Sequence, residues 1–428
     1  MRDGLSWFAI CAGCVAVGVV SFVTNGAQPF GEIAQWASKK AEAAAVFFVP
    51  SITIAQIQGD YRNVAVSDQI SGASTATSTT TKKVRILIVP GHQPDAGGTV
   101  FGTLYERDVA VDIADALATL LTQNPHYEVM VARTKTAWNP ILQNYFDMHT
   151  PEIETFMQSQ WLQMANRLAD GSFILEDDQV YHNTAPSETA LQLYGINKWT
   201  NDNNYDITLH LHINDYAGRR AINIGTYDGF SIYVPDHQYS NATVSKAIGE
   251  AVAVRLNEYH ATSTLPREDV GVIPDRQLIA TGSNNSADTA AILIEYGYIY
   301  EPQFRDSLVR PVAIADYALQ TYLGLQDFFK DSISLSYGSI SFPYDWTKVT
   351  GKQDERGPGV YALQAGLHYL GFYPPSGKSF SECPVSGVAG ACTQTAIMEY
   401  QAIRGLNITG TLGPKTRAAL NQDLTIHS

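Results

Sequence analysis

The chain has 428 residues, 45% of them apolar and 16% charged, an ordinary globular composition with enough apolar material for two or three domains. A formal charge of −14 is spread along the sequence rather than gathered in blocks, which argues against nucleic acid or an anionic membrane surface as the main partner. Of the four cysteines, Cys11 and Cys14 sit in an apolar N-terminal stretch, and Cys383 and Cys392 in a Gly/Ser-rich loop near the C-terminus. The second pair could close a small disulfide in an exported protein and would remain two thiols in a reducing compartment.

Leu5 to Val23 carries no charge and is long enough to cross a bilayer, so residues 1–26 read as a membrane anchor or a signal peptide. Either fate sends the bulk of the chain out of the cytoplasm. Residues 27–83 follow as an alanine-rich juxtamembrane segment and a low-complexity stretch, Ser67 to Lys83, expected to be a flexible tether. From 84 to 329 strand and helix patterns alternate, which predicts an α/β domain. Strands are expected over Val84–Val89, Tyr127–Ala132, Ile207–Ile213, Gly229–Val234 and Ala290–Ile294. Helices are expected over Glu106–Thr122, Ser240–Tyr259 and Val312–Phe329. A block at about 136–186 breaks the alternation. Its Trp138, Tyr145, Phe146, Phe156 and Trp161, mixed with acids, suggest an inserted helical subdomain or lid. A linker at 330–356 leads to a last module, 357–428, with two helical half-patterns.

Five polar residues stand out. His92 follows Pro90-Gly91 at the exit of a buried strand, where a lone loop histidine is most often simply solvated. Glu106 opens a helix. With Thr103 three residues before, it fits a capping box as well as a ligand role. His210 and His212, two apart on a strand, share one face with Thr208 and Asn214. Glu295 ends the apolar run AAILI, where a carboxylate is either a base of raised pKa or the partner of an arginine such as Arg133 or Arg276. Imidazole and carboxylate are zinc donors, and three such donors leave zinc one open position.

The ordered motifs ILIVPGH, YERDVAVDIADAL, TLHLHIND and ILIEYGYI resemble those of the zinc-dependent N-acetylmuramoyl-L-alanine amidases, which cleave peptidoglycan. The resemblance covers roughly Val84 to Leu323. It implies a mixed-sheet α/β amidase domain, phosphorylase/hydrolase-like. It also implies one Zn²⁺ held by His92, Glu106 and His212, with Glu295 as the catalytic carboxylate. Zinc and Glu295 would together direct a water against the lactyl amide carbonyl of muramic acid. The chain departs from the family pattern at Gln93-Pro94, where Gly-Gly is usual. It departs again at His210, where Ser is usual and which would then touch substrate or tune the metal from beside it. Tyr300-Glu301 stands where an Asn is usual.

VYALQAGLHYLGFY, TQTAIMEYQAIRGL and GTLGPKTRAAL resemble the signature of a small all-α three-helix peptidoglycan-binding domain, over about Val360 to Leu420. The implied protein is an extracytoplasmic wall hydrolase with peptidoglycan as partner, anchored through its N-terminal segment. A zinc peptidase acting on wall peptides and a non-catalytic wall-binding protein are the alternatives. Should the insertion hold the enzyme off until a partner binds, that partner is an activator protein the sequence does not identify.

Overall fold

The structure is a computed structural model that describes residues 52–70, 82–175, 180, 182, 184–330, 348–380 and 382–426. The apolar stretch Leu5 to Val23, residues 71–81 of the expected tether and residues 331–347 of the expected linker lie outside the described residues. Among the described residues no helix is long and apolar enough to cross a membrane.

Six strands form the central sheet: β1 (Val84–Pro90), β4 (Tyr127–Val131), β5 (Ile207–Asn214), β6 (Ser231–Pro235), β7 (Val272–Asp275) and β8 (Ala290–Tyr298). Their spatial order is β4-β1-β5-β8-β6-β7, and every pairing is parallel except β6 with β8. A two-stranded ribbon, β2 (Val100–Phe101) with β3 (Leu104–Tyr105), stands apart, and sequence patterns were too short to mark it or β7.

Side chains alternate across a strand, so the register sorts the sheet into two faces. Ile86, Ile88, Leu209, Leu211, Ile232, Val234, Ile292 and Ile294 are buried on one face, in the same core as α2 (Glu106–Thr122), α5 (Ala242–Leu256) and α7 (Arg310–Phe329). The other face carries Leu87, Val89, Thr208, His210, His212, Leu293 and Glu295, matched strand to strand. The insertion covers part of this second face. Its helix α3 (Pro140–Asp170), kinked at His149 just before Pro151, packs with α4 (Ser187–Asp202) over Leu87 and Val89. Val180 closes on Tyr233, Ile273 and Leu293.

Helix α1 (Ile54–Ile70) reaches into the stretch expected to be a tether, and its first half is docked on the α/β domain. Ile57 is fully buried, and Tyr61 stacks between His126 and Phe329 at 4.3 and 4.4 Å. Tyr61 also takes a hydrogen bond from Asn124 at 2.9 Å. Polar sequence alone did not show this, because two aromatic stacks outweigh a weak helical apolar stripe.

The C-terminal module has three helices: α8 (Pro358–Tyr369), α9 (Ala391–Ile403) and α10 (Pro414–Ile426). A disulfide joins Cys383, in the loop after α8, to Cys392 in the first turn of α9. The module shares one apolar core with the α/β domain rather than hanging from it. At the junction Asp316 of α7, only 2% exposed, accepts from His260 at 2.9 Å and from Tyr361 of α8 at 3.0 Å. A buried carboxylate needs such donors, because desolvation without them is costly. Removing the Tyr361 hydroxyl in Tyr361→Phe takes away a hydrogen bond to a charged group. It is expected to lower stability by about 2 kcal/mol in urea unfolding. An unchanged midpoint would place the junction outside the cooperative core.

Candidate active site

β1 ends at Pro90 and the chain turns sharply, so that His92 sits in the left-handed region at φ +66°. The turn is possible because Gly91 lies against the His212 ring: a Cβ there would come within 2.5 Å of Cε1. The amide of Gly91 donates to Leu211 O at 2.8 Å, which fixes the strand end beside β5. His92 is thereby aimed at the first turn of α2, and His212 arrives from the neighbouring strand.

Between them lies Glu106. Its Oε2 is 2.9 Å from His92 Nε2 and its Oε1 is 3.0 Å from His212 Nδ1. Two backbone amides complete its shell: Thr99 N–H donates at 2.8 Å and Ile213 N–H at 3.2 Å. The expected capping box is not formed. Tyr105 is the N-cap without a side-chain bond, and Glu106 is the first helical residue. The two imidazoles and the two backbone amides, all from outside the helix, have drawn its carboxylate away from the helix end. Burial alone would raise the Glu106 carboxyl, but the adjacent histidines outweigh it and hold it below the usual carboxylate range.

His92, Glu106 and His212 thus offer two ring nitrogens and one carboxylate oxygen, all within 4.8 Å of one another. A tetrahedral zinc with bonds of about 2.0–2.1 Å places its ligand atoms roughly 3.3 Å apart. The 2.9 and 3.0 Å separations run to different oxygens of Glu106, and one donor atom from each residue lies within 4.8 Å of the other two, so the set would draw together around a shared ion. The donor set also leaves a fourth position open.

Glu295 is not at a strand end, as the break in the apolar run suggested. β8 continues through it to Tyr298, and Glu295 lies in register with His212 on one side and Ser231 on the other. Neither arginine weighed as its partner pairs with it. Arg133 donates to backbone carbonyls, and Arg276 lies 3.8 Å from Asp236. Glu295 Oε2 is buried and meets no hydrogen-bond partner among the described residues. Burial first, then Glu106 and Glu268, raises the Glu295 carboxyl well above its ordinary value.

His210 sits one step deeper on the same face, paired in register with Val89 and Leu293. Its Nε2 is buried and unpartnered, and burial together with His212 pushes its pKa down to about 3, so the ring is neutral. Gln93 of the departing Gln-Pro loop donates to Gln192 of α4 at 2.8 Å, tying the His92 loop to the covering helices.

Some of the site was not legible in sequence. Glu268 is buried and accepts from Tyr233 at 2.5 Å, from Tyr298 at 3.2 Å and from Asn214 at 3.0 Å. It ties β5, β6 and β8 together on the Glu295 side. Asp215 takes both Arg219 Nε (2.6 Å) and Nη2 (2.7 Å), as well as the Thr99 hydroxyl beside Glu106. Only the polar stripe through Asn214 hinted at either cluster.

A family described as N-acetylmuramoyl-L-alanine amidase matches residues 86–327, and one described as putative peptidoglycan binding domain matches residues 356–420. No curated relative matches the chain. Similar solved structures include the CwlD amidase from Clostridioides difficile in complex with the GerS lipoprotein. It has 16% identity and a TM-score of 0.39, with 58% of this chain and 99% of that one covered. Ami1 from Mycobacterium smegmatis has 13% identity and a TM-score of 0.38, with 58% and 97% covered. AmiC2 of Nostoc punctiforme has 17% identity and a TM-score of 0.35, with 58% and 97% covered.

Glu301, where the motif departs, closes the end of β8. It accepts from Tyr298 N–H at 2.7 Å, Gly229 N–H at 3.1 Å and Gln303 at 2.8 Å. It lies so close to Gly297 (φ +140°) that a Cβ there would be 2.7 Å from its oxygen. Burial raises its pKa from 4.5 to about 7. Between those values the folded protein keeps a proton that the unfolded chain has released. The resulting stability is full at the acid end and is lost as pH rises through 7. The swing is about 3 kcal/mol. Glu301→Gln is expected to flatten it in unfolding curves between about pH 4.5 and pH 7; an unaltered slope would assign the titration elsewhere.

Proposed function

We propose, for a chain that belongs to the N-acetylmuramoyl-L-alanine amidase family, that His92, Glu106 and His212 hold one Zn²⁺ and that Glu295 carries the proton of the reaction. The protein is a peptidoglycan hydrolase with a wall-binding domain, cleaving the amide between the muramic acid lactyl group and L-alanine. Its substrate is the wall polymer, so it works outside the cytoplasm, where the Cys383–Cys392 disulfide is also at home. The observation that carries the residue assignment is the convergence of three donors, from the exit of β1, the start of α2 and the strand β5, beside a carboxylate with an unpartnered oxygen.

When bound, zinc supplies Lewis-acid polarisation of the amide carbonyl and of the attacking water. Glu295 does the proton work. Its buried oxygen accepts a proton as the water oxygen bonds to the lactyl carbonyl carbon. It then donates that proton to the L-alanine nitrogen as the carbon–nitrogen bond breaks. A carboxyl of raised pKa suits both halves, being basic enough to accept and acidic enough to return the proton. Glu106 stays ionised as the anionic member of the ligand set. His210, neutral and with a free ring nitrogen, faces the same side as His212. It can hydrogen-bond substrate or water without adding charge.

A zinc peptidase would share these ligands, so the product decides between the readings. Purified peptidoglycan digested with the protein is expected to release stem peptides beginning with L-alanine. That activity should be lost with chelator and restored by Zn²⁺. Peptides cut within the stem would overturn the amidase assignment. Glu295→Gln is expected to lose at least a hundredfold in rate with zinc content unchanged, by metal analysis. His92→Ala should lose the metal itself. Near-normal turnover of Glu295→Gln would remove it from the mechanism.

A further inference from the structure

Arg133 is the largest fully buried side chain of the described residues, 1% exposed, and it pairs with no carboxylate among them. Asp108 and Glu106 favour its charge from a distance, but a buried guanidinium with no carboxylate in direct contact needs other acceptors as well. Here all three guanidinium nitrogens donate to main-chain oxygens. Nε donates to Pro90 O at 3.1 Å and Nη1 to Thr134 O at 3.0 Å. Nη2 donates to Gly91 O and, at 2.9 Å, to Arg107 O. Burial brings its pKa down only to about 10, so the group is charged at neutral pH.

The acceptors lie where the donor set is built. Pro90 and Gly91 are the two residues before His92, and the Gly91 carbonyl belongs to the peptide that leads into it. Arg107 is the residue after Glu106. One rigid fork therefore grips the turn that presents His92 and the helix turn that presents Glu106. His92 is a non-glycine residue at φ +66°. Such a conformation persists only where its surroundings over-determine it. The Gly91 amide, bonded to Leu211, fixes one side of that turn, and Arg133 fixes the carbonyl on the other.

We propose that Arg133 is a positioning residue for two of the metal ligands, holding His92 and Glu106 in one fixed relation before any ion binds. This rests on the metal reading of His92, Glu106 and His212. Lysine at 133 would keep the charge but lose the planar fork that reaches several carbonyls at once. The role thus belongs to the shape of the group rather than to its charge.

The test uses the full chain, stripped with chelator and titrated with Zn²⁺ against a chromophoric competitor, for wild type, Arg133→Lys and Arg133→Gln. Urea unfolding of the metal-free proteins and the visible spectrum of the Co²⁺-loaded proteins are measured alongside. Both variants are expected to bind zinc ten- to a hundredfold more weakly and to show an altered Co²⁺ spectrum. The weakening should exceed anything their metal-free stability explains. Wild-type zinc affinity and spectrum in a folded variant, even one of lower stability, would make Arg133 merely structural and overturn the proposal. Failure of both variants to fold would overturn it too, since the residue would then serve the fold itself. A wild-type chain that binds no zinc would overturn the metal reading instead, and this inference with it.

Discussion

One carboxylate between two imidazoles sets the constraints on this molecule. Glu106 touches His92 with one oxygen and His212 with the other, and each oxygen also takes a backbone amide. To deliver those three side chains to one point, β1 must end beside β5, α2 must start beneath the turn after β1, and Gly91 must lack a side chain. The parallel order of β1, β5 and β8 supplies the first condition. The same register lays Glu295 next to His212 without further design. Hydrogen bonds to an ionised group are strong only when the group is held dry and still. The core under the sheet and the helices above it serve that end.

The two buried carboxylates next to each other have opposite characters, and their environments explain why. Glu106 has four donors and is held ionised. Glu295 has an orphaned oxygen and two acidic neighbours, and is held protonated more readily. Pairs of titratable groups pushed apart in this way are how a fold separates a ligand from a proton carrier. The neutral His210 beneath them keeps the same face polar at no cost in charge.

How much of this could be read from sequence depends on whether the signal was local. The apolar run into Pro90-Gly91-His92 and the alternation around His212 are local, and both lie where their periodicity put them. Thr103 and Glu106 looked like a cap because capping is a local rule. Tertiary donors won the carboxylate instead. Glu295 looked like the end of a strand because charge normally ends an apolar run, whereas here β8 carries Tyr296 and Tyr298 onward as buried residues. The roles of Arg133, Glu268 and the Asp316 junction were not legible for a common reason. Each is a buried charge most of whose partners lie tens of residues away, and no spacing encodes them.

The shared carboxylate at the junction bears on how this protein could be re-engineered or diversified. Here α7 presents Asp316 to both His260 and Tyr361, and Val309, just before α7, lies against Gly387 so tightly that a Cβ would meet its Cγ1 at 2.7 Å. A foreign module grafted after residue 330 would bring no hydroxyl to that acid and no gap for that valine. The hydrolase would inherit a charged hole in its own last helix. Changes on the outward surface of the module would therefore disturb this chain less than replacing the module whole.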